Sequence, residues 1–528
     1  MADKRHPCWS RRHFLQRAGA TGLLTAAGAG VMSRSWGNSS HADVGPRLPA
    51  GKDYKALICL FLYGGNDSWN LLIPSANEGS EVEEGFGYQT YASRRAGLAV
   101  KQQSLEISTG QVGSAAANPY HQKDAAASYL KGLYKVDKQW SVNGCAPELA
   151  RLQQHNRLAW VVNSGVLVEP VDRQQYESGI LPSFLFAHNH QQRYLATADG
   201  TAHESLGWAG RLADLWQSGS VNGIDHAHLF GMNMALGGRK PMFASQSAPE
   251  RVLPAGKPLK MDSINQTGPA NEQRRADVLN ALITLPRRDL FEQLFASRQQ
   301  TTMEMLTRLN AEWQNTHDYS SLTGSYGEPL FSMPDQGLIG LGDRLPAGLL
   351  RQLETVARMV EIGKRQGLRR QIFFVSMGGF DTHAQQANKH PLLLRNLSLS
   401  VWHFQQAIRA LGMEDKVTLY SQSDFARTLQ NNGDGTDHAW GGQQFVVGGA
   451  VNAGIYGAMP DLRVDSLQSV PDNRGRMIPG LANEQTLAAL ANWFGVAASD
   501  MIHLFPHLTN FQASDSVASA WLPLMKNT

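Results

Sequence analysis

Five stretches of the chain read as buried strands: 54–67 (YKALICLFLYGGND), 158–166 (LAWVVNSGV), 370–383 (RQIFFVSMGGFDTH), 416–425 (KVTLYSQSDF) and 443–451 (QQFVVGGAV). A strand with one wet face alternates apolar and polar residues. A run such as ALICLFL, apolar at every position, needs cover on both faces, as in a parallel sheet. Between these runs the apolar residues recur near every 3.6 positions, which predicts helices at 146–157, 207–216, 346–366, 391–412 and 484–496. The stretch 270–320 is also helical in pattern, with Pro286 as its main breaker. Strand and helix patterns alternate, so the expected fold class is α/β: a mainly parallel central sheet sandwiched between helices, with a helical or irregular insertion. Residues 76–144 are polar and irregular. They and 270–345 are expected to be insertions or cap elements, and 511–528 a C-terminal tail.

The first 42 residues stand apart from this pattern. SRRHFLQ carries paired arginines, the next stretch is mildly apolar and rich in Ala and Gly, and SHA (40–42) offers small residues for cleavage. Together these predict a twin-arginine signal peptide over 1–42, recognition by the Tat export machinery, and a periplasmic or secreted location. Six of the 48 Lys/Arg and one of the 45 Asp/Glu lie in that segment. Its removal turns the formal charge of +3 into −2, so no electrostatic case for nucleic acid remains. No later apolar run is long enough to span a membrane. Cys8 leaves with the signal. Cys59 and Cys145 could pair in an oxidising compartment, and no Cys pair has zinc-site spacing.

The chemistry gathers where the strand patterns end. Three runs close on an acid: Asp67, Asp381 and Asp424. His383 lies two residues past Asp381, and Asp437 and His438 follow Asp424. Parallel neighbouring strands would bring these groups to one sheet edge, where open α/β sheets place their sites. Carboxylates brought together out of water repel unless a cation neutralises them. Asp and His together suit a divalent ion, Zn²⁺, Mn²⁺ or Ca²⁺. Taken singly, each acid reads equally well as a turn residue or a helix N-cap. The Gly pairs at 64–65, 378–379 and 441–442, with Gly433 and Gly435, would let backbone approach a ligand.

Four blocks, in order and spacing, resemble the DUF1501 family of exported bacterial proteins over most of 54–510. They are LFLYGGNDSWNLLIP, GGFDTHAQQ, SDFART with GTDHAWGGQQFVVGGAVNAGIYG, and GRMIPG with LAALANWFGV. That family is grouped with the alkaline phosphatase-like superfamily. The resemblance implies a parallel sheet between helix layers, with metal at the strand C-terminal ends. It implies that Asp67, beside Asn66, Asp381 with His383, Asp424 and His438 stand at metal-binding positions. Two positions depart from the superfamily pattern. Phe425 stands where a ligating His or Asn would follow Asp424, and Ala187 stands before His188 where an attacking hydroxyl would be expected. His188, Asn189 and His190 remain candidate ligands or substrate contacts. Arg211 is either an oxyanion clamp or a structural ion pair. Trp440 is either a ligand platform or packing.

Two readings of function follow. One is an exported, metal-dependent hydrolase of phosphate- or sulfate-type esters, on a small-molecule or polysaccharide substrate. The other is a non-catalytic binding or envelope-assembly protein on the same scaffold, favoured by Ala187 and Phe425. An oxidoreductase is disfavoured: no G-x-G-x-x-G follows a strand, and no haem or iron–sulfur Cys pattern is present.

Overall fold

The computed structural model describes residues 54–105, 132–201, 203–217, 230–257, 264, 268–334 and 345–526. The expected signal peptide lies outside the described residues.

All five predicted strands form, and they belong to one sheet. They are β1 (Lys55–Leu62), β6 (Leu158–Gly165), β9 (Arg370–Met377), β10 (Val417–Ser423) and β11 (Gly442–Val447). Short strands β7 (Asn233–Leu236), β8 (Arg251–Leu253), β12 (Gly454–Tyr456) and β13 (Leu481–Ala482) complete it. The order is β12-β6-β11-β10-β1-β9-β7-β8, with β13 also pairing β6. Every pairing among the described strands of this sheet is parallel except the two made by β11, which runs against β10 and β6. The fold is therefore α/β with a mostly parallel central sheet.

The continuous apolar run of β1 is explained by cover on both sides. Ala56, Ile58, Leu60 and Leu62 face one core. It is built with helices Pro147–Gln154, Gly348–Arg365 and Gln386–Ala410. Leu57, Cys59 and Phe61 face the other, closed by helices His188–Thr197, Trp208–Gln217 and Asn483–Phe494. This arrangement also settles the cysteines. Cys59 belongs to one core and Cys145 to the other, with the sheet between them, and both are buried free thiols. The disulfide considered from the sequence does not form.

A second, four-stranded sheet, β2 (Leu72–Pro74), β5 (Trp140–Asn143), β4 (Leu133–Lys135) and β3 (Ser104–Leu105), draws mainly on 76–144, a region read as irregular. Pro286 breaks 270–320 into helices Ala270–Thr284 and Leu290–Gln314. Helix Gln386–Ala410 starts five residues before its expected start, with Pro391 accommodated near its beginning. The described part of the expected tail, 511–526, packs against the rest of the chain. Ala520 and Leu524 are buried in the second core, and Met525 bridges to Val451.

Candidate metal centre

The parallel register sets the site. Leu62 of β1 pairs with Met377 of β9 and Ser423 of β10, so the three strands stop level. The residues that follow (Tyr63–Asp67, Gly378–His383 and Asp424) therefore gather at one edge. Because β11 runs in reverse, its N-terminal end lies at that same edge and delivers His438 four residues ahead of Gly442. Helix His188–Thr197 begins there too, with Ala187 as its N-cap.

The turn after β1 demands glycine. Gly64 and Gly65 have φ of +113° and +81°. A Cβ on Gly64 would stand 2.4 Å from the Asp381 nitrogen, and one on Gly65 would stand 2.5 Å from the Phe425 ring. These glycines do hold an anion, but it is a side chain of the protein. Both backbone N–H groups donate to Asp424 Oδ2, at 2.5 and 3.0 Å, and Gln192 donates to Oδ1 at 2.5 Å. Arg427 ties the loops together. Fully buried, it donates to the carbonyls of Gly64, Gly65 and Thr436 and to Asp381 Oδ1.

His188, Asp381 and His438 present one ligand atom each within 4.8 Å of one another. His188 Nε2 is 3.9 Å from Asp381 Oδ2, and its Nδ1 is 3.5 Å from Asp424 Oδ2. His438 Nε2 is 3.4 Å from Asp381 Oδ1. His383 joins them: its Nε2 is 3.1 Å from the same oxygen and 2.8 Å from His438 Nε2. Burial would raise the Asp381 pKa, but the hydrogen bond and charge of Arg427, with His383 and His188, hold it below the usual carboxylate range. Burial lowers the His438 pKa against the pull of its bond to the Phe186 carbonyl, and Arg427 lowers it further.

The hydrogen bonds orient both imidazoles. His438 Nδ1 lies 2.8 Å from the Phe186 carbonyl oxygen, which only accepts, so Nδ1 carries the hydrogen and Nε2 offers a lone pair. His383 Nδ1 lies 3.1 Å from Asp437 Oδ1. Bonds from Asn432 and His383 overcome burial to keep the Asp437 pKa below normal, so that carboxylate also accepts. Both imidazoles thus turn their Nε2 atoms toward each other and toward Asp381 Oδ1. Three acceptor atoms so close repel unless a proton on His383 Nε2 or a cation lies among them. Imidazoles oriented through Nδ1 by a carbonyl and a carboxylate are what a metal site requires of its outer shell. The residues present fit a divalent ion.

The other expected residues fall elsewhere. Asp67 is fully buried and clamped by both terminal nitrogens of Arg95, at 2.5 and 2.9 Å, and by Gln386. The cation that neutralises it is a guanidinium, so Asp67 is not in the cluster. Asp424 is buried beside His188 and spent on the Gly-Gly turn. Asp437 orients His383 and pairs with Arg474 at 3.3 Å. His190 packs against Phe184, with ring centroids 4.4 Å apart and the planes tilted by 31°, and Asn189 faces solvent. Arg211 is no oxyanion clamp: it donates to the carbonyls of Thr197, Leu206, His503 and Leu504. Trp440 is buried and donates to the Val166 carbonyl. Phe425 packs against both His188 and His438, with centroids at 4.7 and 4.4 Å. Arg427, Arg95 and Gln192 escaped the sequence reading. For Arg427 the one available signal was an Arg three residues past Asp424 in SDFART.

The fold is a mostly parallel α/β sheet that carries a His/Asp cluster, a candidate cation site, at its strand ends. The chain belongs to the DUF1501 family, described as proteins of unknown function, whose profile matches residues 54–473. No curated protein matches it. Among solved structures it is similar to a chain from the locus through which Bacteroides thetaiotaomicron metabolises multiple glycosaminoglycans. The two are 10% identical, with a TM-score of 0.28 over 86% of this chain and 74% of that one. It is also similar to a 2-O GAG sulfatase, 12% identical, TM-score 0.23, over 76% of this chain and 70% of that one.

Proposed function

We propose that this chain is an exported hydrolase of phosphate- or sulfate-type esters that depends on a divalent ion held by His188, Asp381, His383 and His438. The observation that carries the reading is the convergence of the His383 and His438 Nε2 atoms on Asp381 Oδ1. A donor set of three imidazoles and one carboxylate suits Zn²⁺ or Mn²⁺. It does not suit Ca²⁺, which takes six to eight oxygens. When bound, such an ion supplies Lewis-acid polarisation of an ester oxygen.

The protein's own groups have distinct parts in this reading. Arg427 holds Asp381 in place and offsets its charge. His438 is kept as the Nδ1–H tautomer by Phe186, and His383 by Asp437. Ala187 has no hydroxyl, so no covalent intermediate is assigned to it. Export through the Tat machinery, and a periplasmic or secreted location, rest on the paired arginines of the first 42 residues. The described part of the chain contains no helix long and apolar enough to cross a membrane.

The test is elemental analysis of the purified chain together with hydrolysis of an aryl phosphate and an aryl sulfate. About one equivalent of Zn or Mn is expected, lost in Asp381→Asn and His438→Ala with folding retained, and turnover should follow the metal. A chain that takes up neither ion defeats the reading. A metal-bound chain inert toward both esters leaves the binding or assembly role.

A further inference from the structure

The helical hairpin formed by Ala270–Thr284 and Leu290–Gln314 departs from the way the rest of the chain buries its apolar residues. The C-terminal half of its second helix is anchored, with Met305, Leu306, Leu309 and Trp313 buried. The rest projects. Ala276 is the one buried residue of the first helix, and Ala296 the one in the first half of the second.

Apolar side chains nevertheless crowd this projecting part. Val278 and Leu282 sit one turn apart, and Leu285 follows at the helix end, each more than half exposed. On the second helix Leu290 and Leu294, and Phe291 and Phe295, form two i, i+4 pairs, with Phe291 80% exposed. Seven of the twelve exposed large hydrophobics of the described chain lie in these eighteen positions. Their exposed fractions amount to about four whole side chains, on the order of 800 Å² at roughly 200 Å² each. Spread over the two helices, that area is large beside the ~300–600 Å² patch a typical monomer shows. It equals the ~800 Å² that each partner contributes to a standard interface.

We infer that this hairpin is a dimerisation element whose occupant is the same hairpin of a second copy of this chain, packed as a four-helix unit. The charges favour a second copy over a lipid surface. The projecting tip carries Arg287, Arg288 and Arg298 against Asp289 and Glu292, an excess of one. Arg287 already lies 4.0 Å from Glu292, and Asp289 caps its helix by accepting from Phe291 and Glu292 N–H. Mixed signs at the margins suit self-pairing, whereas adsorption to anionic lipid gains only about 1 kcal/mol per net basic residue. The hairpin is separate from the candidate metal centre, so this inference stands whether or not the chain is a hydrolase.

The test is sedimentation velocity on the purified full chain across about 0.1–100 μM. The wild type is expected to sediment as a dimer. Phe291→Glu combined with Leu294→Glu should raise the dimer dissociation constant about 100-fold or more, with the far-UV circular dichroism spectrum unchanged because both side chains are exposed in the single chain. As an independent readout, Leu290→Cys treated with a short thiol cross-linker should link two copies if the hairpins meet about a two-fold axis. A wild type that stays monomeric at 100 μM overturns the inference, as does a dimer indifferent to the double substitution. Monomeric binding to phosphatidylglycerol vesicles, abolished by the same substitutions, overturns it in favour of a membrane.

Discussion

His390 lies behind the Gly-Gly turn, against Asn66, fully buried at the start of helix Gln386–Ala410. Its Nε2 is 3.0 Å from Asn66 Oδ1. Burial pushes its pKa down to about 4 from the ordinary 6.5. The Asp67 carboxylate opposes that shift, while Arg95 and Arg427 add to it. In the unfolded chain His390 takes a proton as pH falls through 6.5, but in the folded chain not until about 4. Across that window the unfolded state binds the extra proton, so acidification destabilises the fold. The two values imply a loss of about 2.5 kcal/mol between pH 7.5 and 4.5 from this one side chain. His390→Gln keeps an amide donor for Asn66 and removes the titration. Urea unfolding of both proteins at the two pH values, with chelator present, isolates the term from the carboxylates that also titrate. The wild type should lose about 2.5 kcal/mol more than the variant. Equal losses would refute a neutral, desolvated His390.

Arg95→Met should leave the Asp67 charge buried without its main partner and cost about 3–5 kcal/mol, partly recovered by adding Asp67→Asn, as read from thermal melts. Gly64→Ala should cost about 2 kcal/mol or more, because φ is +113° and the new Cβ meets Asp381. It should also weaken metal uptake by about tenfold or more, measured by competition with a chromogenic chelator. Phe425→His places an imidazole between His188 and His438 and should slow removal of bound Zn²⁺ by chelator; an unchanged rate would place the ion away from residue 425.

The central sheet was readable because a doubly covered strand has no polar face to hide, and each of the five runs became a strand. Strand ends were readable for the same reason, which is why Asp381, His383 and His438 could be singled out. The step that failed was electrostatic. Three acids brought to one edge were expected to need a metal, yet the protein neutralises Asp67 with Arg95, 28 residues along the chain, and partly neutralises Asp381 with Arg427, 46 residues away. Nothing in a single sequence marks which arginine will reach which carboxylate. His188 was named as a candidate ligand or substrate contact but was not tied to the sheet edge. The start of its helix carries no polar capping side chain, only Ala187, so its place at the sheet edge had no local signature.

The reversed course of β11 has a consequence for assembly. It makes the cluster a product of the finished sheet: residues 188, 381 and 438 meet only once β1, β9, β10 and β11 have paired in register. No short fragment contains the set, so an unfolded or half-folded chain presents only scattered imidazoles. An ion bound by the full cluster would therefore stabilise the native state almost exclusively. Metal uptake by a freshly refolded sample would then count correctly threaded molecules, a different quantity from total protein.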